Sequence, residues 1–322
     1  MPKSMEYIMI KGIILILQSL ILVTLVNAES YDPAVRTDIQ PFVEKAAKET
    51  GYTQQQISNI LKNVQKNDRV ISKIKKPYEN FSWAKYQTFF IKPKMISAAN
   101  QFKKSHQMEL QQQTKLTSIP ANTITAIIGV ETFFGKTKFE FNALESLATL
   151  SFDYPPRSKF FSSELIALLK IAKRSNQPPH TFKSSYAGAI GIPQFMPSSY
   201  LQYAKSETHE HPNIIDSYQD SISSIANYLA KKGKWQKDGK FVTYVPRETI
   251  GIKTDKDEYF SKFKSSTEIK YYSEISGQTA KGIWCSDQKS CWILHNNFFS
   301  ILSYNGSPKY AMAIVKLSEK IT

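Results

Sequence analysis

One carboxylate, Glu131, stands in the run Ala126 to Gly135, A-I-I-G-V-E-T-F-F-G, whose other members are apolar or small. A helix this apolar is normally buried, and a buried carboxylate without a partner is either costly or neutral. Folding alone does not ask for Glu131, so it reads as a catalytic acid. Ser118-Ile-Pro120 opens the helix and Gly135 closes it as a left-handed cap, which puts Glu131 in the last turn. The negative end of the helix dipole and the apolar neighbours Ile127, Ile128 and Phe134 both favour the protonated form, as a general acid at neutral pH requires.

A second stretch able to do chemistry is S-Y-A-G-A-I-G-I-P-Q-F-M-P-S-S-Y, Ser185 to Tyr200. Gly188 and Gly191 permit close backbone approach, to a ligand or to another part of the chain. Gln194 sits between Pro193 and Phe195, where an apolar residue would serve a core better. An amide that contacts a ligand and an amide that caps a tight turn are equally good readings of it. Other polar groups read as structure. Asn142 and Glu145 have capping-box spacing. Glu207-Thr-His-Glu-His211-Pro is a poor scaffold for metal ligands and reads as a surface loop. Arg157, after Asp153-Tyr-Pro-Pro, reads more as a solvated surface charge than as a ligand, and is a candidate to support a site in an exported protein that handles an acidic polymer.

The elements around these stretches are mostly helical. Apolar residues recur at helical spacing in Asp38–Lys48, ended by Gly51, and in the helix capped by Thr53. Pro77 breaks the pattern, Trp83–Phe90 is aromatic-rich, and Pro93 starts a long helix through Met95, Ala99 and Phe102. Further helices follow at Phe160–Lys173, at Tyr218–Lys231 with Asp216 as its cap, and at Lys309–Glu319. Between Gly233 and Ile293 the runs Phe241–Val245, Ile269–Tyr272 and Trp292–Leu294 read as strands.

The chain has 322 residues with 42 Lys+Arg against 27 Asp+Glu, a net charge of +15 that favours an anionic partner. The basic residues are scattered, densest at Lys73–Lys76 and Lys231–Lys234, with no zinc-finger spacing or RNA-binding aromatic signature. Nucleic acid is therefore the weaker partner. Lys3 and Lys11 precede an apolar run from Gly12 to Val26, and Val26-Asn27-Ala28 supplies small residues for a signal peptidase. The run is short of the roughly 20 residues of a membrane span. It reads as a cleaved export signal, with an uncleaved anchor as the alternative; the absence of a nearby Cys excludes a lipid anchor. Cys285 and Cys291, in W-C-S-D-Q-K-S-C-W, then read as one disulfide of an exported protein.

Taken together, A-I-I-G-V-E-T-F-F-G, S-Y-A-G-A-I-G-I-P-Q-F-M-P-S-S-Y, S-I-A-N-Y-L and N-F-F-S-I-L-S-Y-N-G-S-P-K-Y-A resemble the membrane-bound lytic murein transglycosylase B family in wording, order and spacing. W-A-K-Y-Q-T-F-F-I-K-P extends the resemblance over nearly the whole mature chain. It implies a mainly α (α+β) lysozyme-like fold with a small strand-rich insertion. The expected organisation is a signal peptide over 1–28, an N-terminal helical region over 29–117, a catalytic core over 118–232, a β-rich insertion with the disulfide over 233–295, and a groove motif with the last helix over 296–322.

The resemblance also implies cleavage of the MurNAc–GlcNAc bond of peptidoglycan without water, in the periplasm, by a monomer. Glu131 matches the single catalytic acid, which then acts as base on the muramyl C6 hydroxyl and leaves a 1,6-anhydro sugar. Most glycosidases use two carboxylates; here none beside Glu131 stands out. Ser185 would orient Glu131, Gln194 would contact the glycan, and Tyr228, Tyr304, Asn305 and Tyr310 would line the groove. Arg157 would meet stem-peptide carboxylates. No cofactor is implied, and proteins of wall synthesis or secretion are the further partners. The alternatives are a hydrolytic muramidase and a non-catalytic peptidoglycan-binding protein.

Three departures stand against the family pattern. The calcium loop that some relatives carry after M-P-S-S is replaced by A-K-S-E-T-H-E-H-P-N-I-I-D, without alternating Asp/Asn or a central Gly, so no metal is expected. A lipobox Cys is missing, which points to a soluble form. Phe133 and Phe134 replace the commoner Asn and Tyr, which makes the surroundings of Glu131 drier.

Overall fold

A computed structural model of the chain describes residues 30–76, 80–250, 256 and 258–322. The expected export signal with Val26-Asn27-Ala28, and Pro77, expected to break the helical pattern, lie outside the described residues. The helices are α1 Gln40–Thr50, α2 Gln54–Lys62, α3 Asp68–Ile74, α4 Trp83–Phe90, α5 Pro93–Ser105, α6 Gln107–Thr117 and α7 Ala121–Thr132. They continue with α8 Ala143–Phe152, α9 Ser158–Arg174, α10 Pro197–Tyr203, α11 Tyr218–Lys231, α12 Ser266–Ser276, α13 Asn296–Leu302 and α14 Pro308–Ser318. Four strands, β1 Val242–Pro246, β2 Tyr259–Lys262, β3 Gly282–Cys285 and β4 Ser290–Leu294, form an antiparallel sheet in the order β1-β4-β3-β2. Among the described residues no helix is long and apolar enough to cross a membrane.

The chain divides into two compact units. The first holds the residues up to Ser72 with Phe141–Phe182 and Tyr186–Gly188. Here α9 packs on α8 and on α1, burying Val43, Ala46, Leu147, Leu165 and Leu169. Gly51 ends α1 with φ 77°, and Thr53 with Gln56 forms a full capping box on α2. Asn142 caps α8 by accepting the Glu145 N–H, but the Glu145 carboxylate does not complete the expected reciprocal box; it accepts from Asn67 Nδ2 at 2.9 Å.

The second unit holds Lys73–Glu140, Lys183–Ser185 and Ala189–Thr322. Its centre is α7, packed against α5, α6, α11 and α14. Ile124, Ala126, Ile127 and Ile128 are buried on all sides of this helix, as its sequence requires. Pro93 begins α5 as expected, but the long helix breaks at His106 and resumes as α6. The cap of α11 is Ser217, which accepts the Asp220 N–H, and not Asp216.

In the strand-rich part, Phe241–Val245 and Trp292–Leu294 fall on β1 and β4. Ile269–Tyr272 is not a strand; it lies in α12. The β-branched and aromatic run suggests a strand, yet Ser265 and Glu268 make a full capping box and Gly277 closes the helix at φ 68°. Two good ends outweigh a local preference. One face of the sheet packs Val245, Ile283 and Ile293 with Tyr272 of α12. Cys285 and Cys291 are register partners on β3 and β4 and are joined by the disulfide.

Candidate active site

Glu131 lies in the last turn of α7, partly exposed at the end of an otherwise buried helix. The helix cap differs from expectation. Phe133, at φ 47°, is the left-handed residue that stops α7, and Phe134 at φ 61° and Gly135 at φ 73° continue the left-handed stretch. Pro120 likewise sits at the N-cap, one residue outside the helix. The Phe133 N–H reaches the Gly129 carbonyl at 2.9 Å and the Phe134 N–H reaches that of Ile128 at 3.3 Å, so the last carbonyls of α7 are satisfied. Left-handed backbone is unfavourable for phenylalanine, and three contacts hold it. The Phe134 ring is buried against Phe102, Tyr218 Oη donates to the Phe134 carbonyl at 2.8 Å, and Thr132 Oγ1 accepts the Gly135 N–H at 3.0 Å.

The principal finding concerns Tyr310. Its hydroxyl donates to Glu131 Oε1 at 2.6 Å. Ser307 caps α14 by accepting the Tyr310 N–H, and Pro308 fills the first turn, so S-P-K-Y delivers the phenol from a helix N-terminus. The Tyr304 ring lies nearly parallel to that of Tyr310, at 8° and 6.4 Å between centroids. Tyr228 follows at 4.9 Å from Tyr304, and Tyr203 at 4.9 Å from Tyr228. Tyr304 donates to the Pro193 carbonyl and Tyr228 to that of Ser303. A row of phenols thus leads up to Glu131. Burial, and then the Glu131 charge, raise the Tyr304 and Tyr310 hydroxyls well above the usual tyrosine range. Burial pushes Tyr228 up to about 12. All three phenols are hydrogen-bond donors at neutral pH.

The loop before α10 forms the neighbouring wall. Thr132 Oγ1 donates to the Ile192 carbonyl at 3.1 Å, which ties this loop to the end of α7. At Gly191, φ 72°, a Cβ would meet the Ile214 carbonyl oxygen at 2.5 Å, so only glycine fits. Gln194 adopts φ 50°, and its Nε2 donates to the Gly191 carbonyl at 2.9 Å. The amide therefore braces the turn, which satisfies the capping reading. Ser185 Oγ accepts the Ala189 N–H at 3.3 Å, and Asn305 Oδ1 accepts the Ser307 N–H at 3.1 Å. Arg157 belongs to the other compact unit, where its guanidinium lies 4.5 Å from the Phe160 ring centroid and 5.0 Å from that of Phe161.

The sequence placed Tyr310 on the groove wall and missed its bond to Glu131. It missed Thr132 altogether. The two partners Glu131 and Tyr310 are 179 residues apart, and no local pattern announces such a pair.

After α10, the loop that leads to α11 is organised by protein groups. Asp220 is buried, accepts from Ser206 Oγ with Oδ1 and from the Asn213 N–H with Oδ2, both at 2.7 Å. Glu207 is engaged by Lys205 at 3.0 Å. Glu207 also accepts from Gln113 Nε2 of α6 at 3.2 Å, so both carboxylates are engaged by protein groups.

The mainly helical fold with its small antiparallel sheet is the lysozyme-like fold of lytic transglycosylases. The chain belongs to the family described as Transglycosylase SLT domain, which matches residues 34–319. It is 30% identical over 305 residues to the membrane-bound lytic murein transglycosylase B of Escherichia coli K12, covering 90% of this chain and 84% of that one. Among solved structures it is similar to the soluble lytic transglycosylase SltB1 of Pseudomonas aeruginosa, with 30% identity, a TM-score of 0.73, and coverage of 88% of this chain and 97% of that one. The Escherichia coli lytic transglycosylase Slt35 in complex with bulgecin A gives 30% identity and a TM-score of 0.77, covering 92% of this chain and 96% of that one.

Proposed function

We propose that this enzyme cleaves the β-1,4 MurNAc–GlcNAc bond of peptidoglycan and leaves a 1,6-anhydroMurNAc end, with Glu131 as its only catalytic carboxylate. The murein substrate is suggested by the name of the Escherichia coli relative. The observation that carries the mechanism is the Tyr310–Glu131 hydrogen bond at the end of a buried helix. It holds one carboxyl oxygen in place, so the same group is oriented for two successive proton transfers.

In the first transfer Glu131 gives its proton to the glycosidic oxygen as the bond to muramyl C1 breaks. The substrate N-acetyl group steadies the electron-poor C1. In the second, the Glu131 carboxylate takes the proton of the muramyl C6 hydroxyl, whose oxygen closes on C1. The acid is regenerated and no water is consumed. Tyr304 and Tyr228 offer ring faces to the glycan, Gln194, Ser185 and Asn305 shape the polar wall, and Arg157 meets stem-peptide carboxylates. The reading places the protein in the periplasm, where this substrate is found.

The test is digestion of murein sacculi followed by mass spectrometry. Anhydromuropeptides, one water lighter than hydrolytic products, are expected from the wild type and not from Glu131→Gln. Reducing-end products would assign a hydrolytic muramidase on the same scaffold. Sacculus binding without soluble products, unchanged by Glu131→Gln, would assign a binding protein.

A further inference from the structure

The second face of the sheet is built differently from the first. Strand alternation places Tyr244, Trp292, Trp284 and Phe260 on the side away from Val245, Ile283 and Ile293. These four are register partners from β1 through β4 and β3 to β2, so they make one aromatic row across the sheet. Trp292 stacks on Trp284 at 5.2 Å, and Tyr244 meets Trp292 at 5.9 Å. Trp83 of α4 stands edge-on over Trp284 and closes that part of the row. The other end is open: Tyr244 is 57% exposed and Trp292 is partly exposed. The cross-strand pair supports the sheet, and its exposed faces leave an aromatic surface that a ligand can cover.

Beside the open end lies a cleft of about 620 Å³ lined by Trp292, Ser290, Asp287, Trp83, Glu258 and Lys309 among others. Its charged groups are already engaged. Lys309 pairs with Glu258 at 2.6 Å, Glu258 accepts the Trp83 N–H at 2.6 Å, and Asp287 accepts the N–H groups of Lys289 and Ser290 at 2.7 Å each. Two carboxylates against one ammonium leave the named lining with one net negative charge on a chain that is +15 overall. A carboxylate-bearing ligand is disfavoured there, whereas a neutral sugar is not. An aromatic face flanked by fixed polar groups suits a pyranose, whose C–H face packs on the ring while its hydroxyl and amide groups take hydrogen bonds. The cleft also adjoins the reacting groups through one helical turn. Lys309 lines it, and the next residue, Tyr310, holds Glu131.

We propose that the Tyr244–Trp292 pair and the adjoining cleft form a second glycan-binding site, distinct from the groove at Glu131, that takes an uncharged N-acetylated sugar of a polysaccharide strand. It would keep the enzyme on a strand between cuts. The proposal rests on the reading that glycan strands are the substrate, and its test reads binding so that the two can fail separately.

The full mature chain carrying Glu131→Gln is titrated with the tetrasaccharide of N-acetylglucosamine by calorimetry and is pulled down with murein sacculi. Two tetrasaccharide sites per chain are expected, falling to one in Tyr244→Ala/Trp292→Ala. Tyr244→Ala alone should weaken sacculus binding by about three- to tenfold, the weight of one aromatic contact, with an unchanged melting temperature. In the Glu131 background, cleavage of a short soluble glycan fragment should be unaffected by Tyr244→Ala. Unchanged stoichiometry and sacculus binding in these variants would overturn the site. So would competition by free stem peptide as strong as that by the tetrasaccharide. Failure of the cleavage chemistry would appear in the products of the Glu131 enzyme and leave the binding difference intact.

Discussion

Tyr310 Oη donates to Glu131 Oε1 across 2.6 Å, joining the first turn of α14 to the last turn of α7. The ring of Tyr310 is 2% exposed, so Tyr310→Phe removes the hydroxyl and leaves the packing in place. A hydrogen bond to a charged group contributes about 1.5–3 kcal/mol, and kcat/KM on sacculi should fall by about 10- to 100-fold. The sign of the pH effect follows from the donor role. A donated hydrogen bond favours the carboxylate over the acid, and its loss favours the acid. Because the first step of the proposed mechanism needs the protonated acid, the descending limb of the kcat/KM profile should move to higher pH as the rate falls. The raised phenol of Tyr310 keeps its proton throughout the neutral range, so no tyrosine limb should appear there. A lowered rate with an unmoved limb would show that the bond does not act on the ionisation that matters.

Gly129 is where α7 and its unusual cap meet. A Cβ there would lie 2.7 Å from Phe134 Cζ. Alanine is the better helix former by about 1 kcal/mol, while overpacking costs about 1–3 kcal/mol. Phe134 cannot swing clear easily, because its carbonyl is held by Tyr218 and its ring by Phe102. Gly129→Ala should therefore lower the urea midpoint, and Phe134→Leu added to it should recover part of the loss. Additive losses in the double variant would rule out this contact as the cause.

Much of this arrangement was legible before any coordinates. The cap at Thr53, the end of α1 at Gly51 and the helix that carries Glu131 are written in local residue types. So were the pairing of the two cysteines and the oddity of a carboxylate among apolar residues. The α12 segment misled because I-K-Y-Y suits a strand, while the helix is decided by Ser265, Glu268 and Gly277 at its ends. The cap of α7 misled because Gly135 is the obvious left-handed residue, yet Phe133 adopts that conformation under tertiary restraint. The Tyr310–Glu131 bond and the aromatic row were not legible at all. Both depend on chain segments brought together from a distance, by helix packing in one case and by strand register in the other.

Phe133 and Phe134 share a left-handed backbone but not an environment. Phe133 is partly exposed, with Lys94 Nζ 5.7 Å from its ring centroid, whereas Phe134 is 3% exposed. Asparagine tolerates φ 47° far better than phenylalanine. Phe133→Asn should relieve strain by more than the roughly 0.5 kcal/mol of an exposed cation–π contact and raise the urea midpoint slightly. Phe134→Asn should lower the midpoint, at a cost in stability of more than about 2 kcal/mol, since a buried aromatic is lost and a polar amide left in its place. Equal responses at the two positions would contradict this division.

Asp220 performs, for the loop after α10, the organising work that a bound cation could otherwise do. Its side chain is 1% exposed and both oxygens are engaged, by Ser206 Oγ and by the Asn213 N–H. Asp220→Ala leaves those donors without their acceptor, at a cost of about 1.5–3 kcal/mol for each charged hydrogen bond. The stretch Lys205–His211 should then open first, being exposed over most of its length. Trypsin should nick the variant after Lys205 well before the rest of the fold, and not the wild type. The far end of the tyrosine row adjoins this loop, since Tyr203 ends α10 and packs on Tyr228 of α11, and the Lys205 N–H that follows donates to Ser224 Oγ of α11 at 2.9 Å. Sacculus cleavage by Asp220→Ala should therefore weaken together with the loop. Added calcium should restore neither, because the remaining acidic groups cannot assemble a cation site in the opened loop. Protection of Lys205 by calcium would show instead that a cation site persists there.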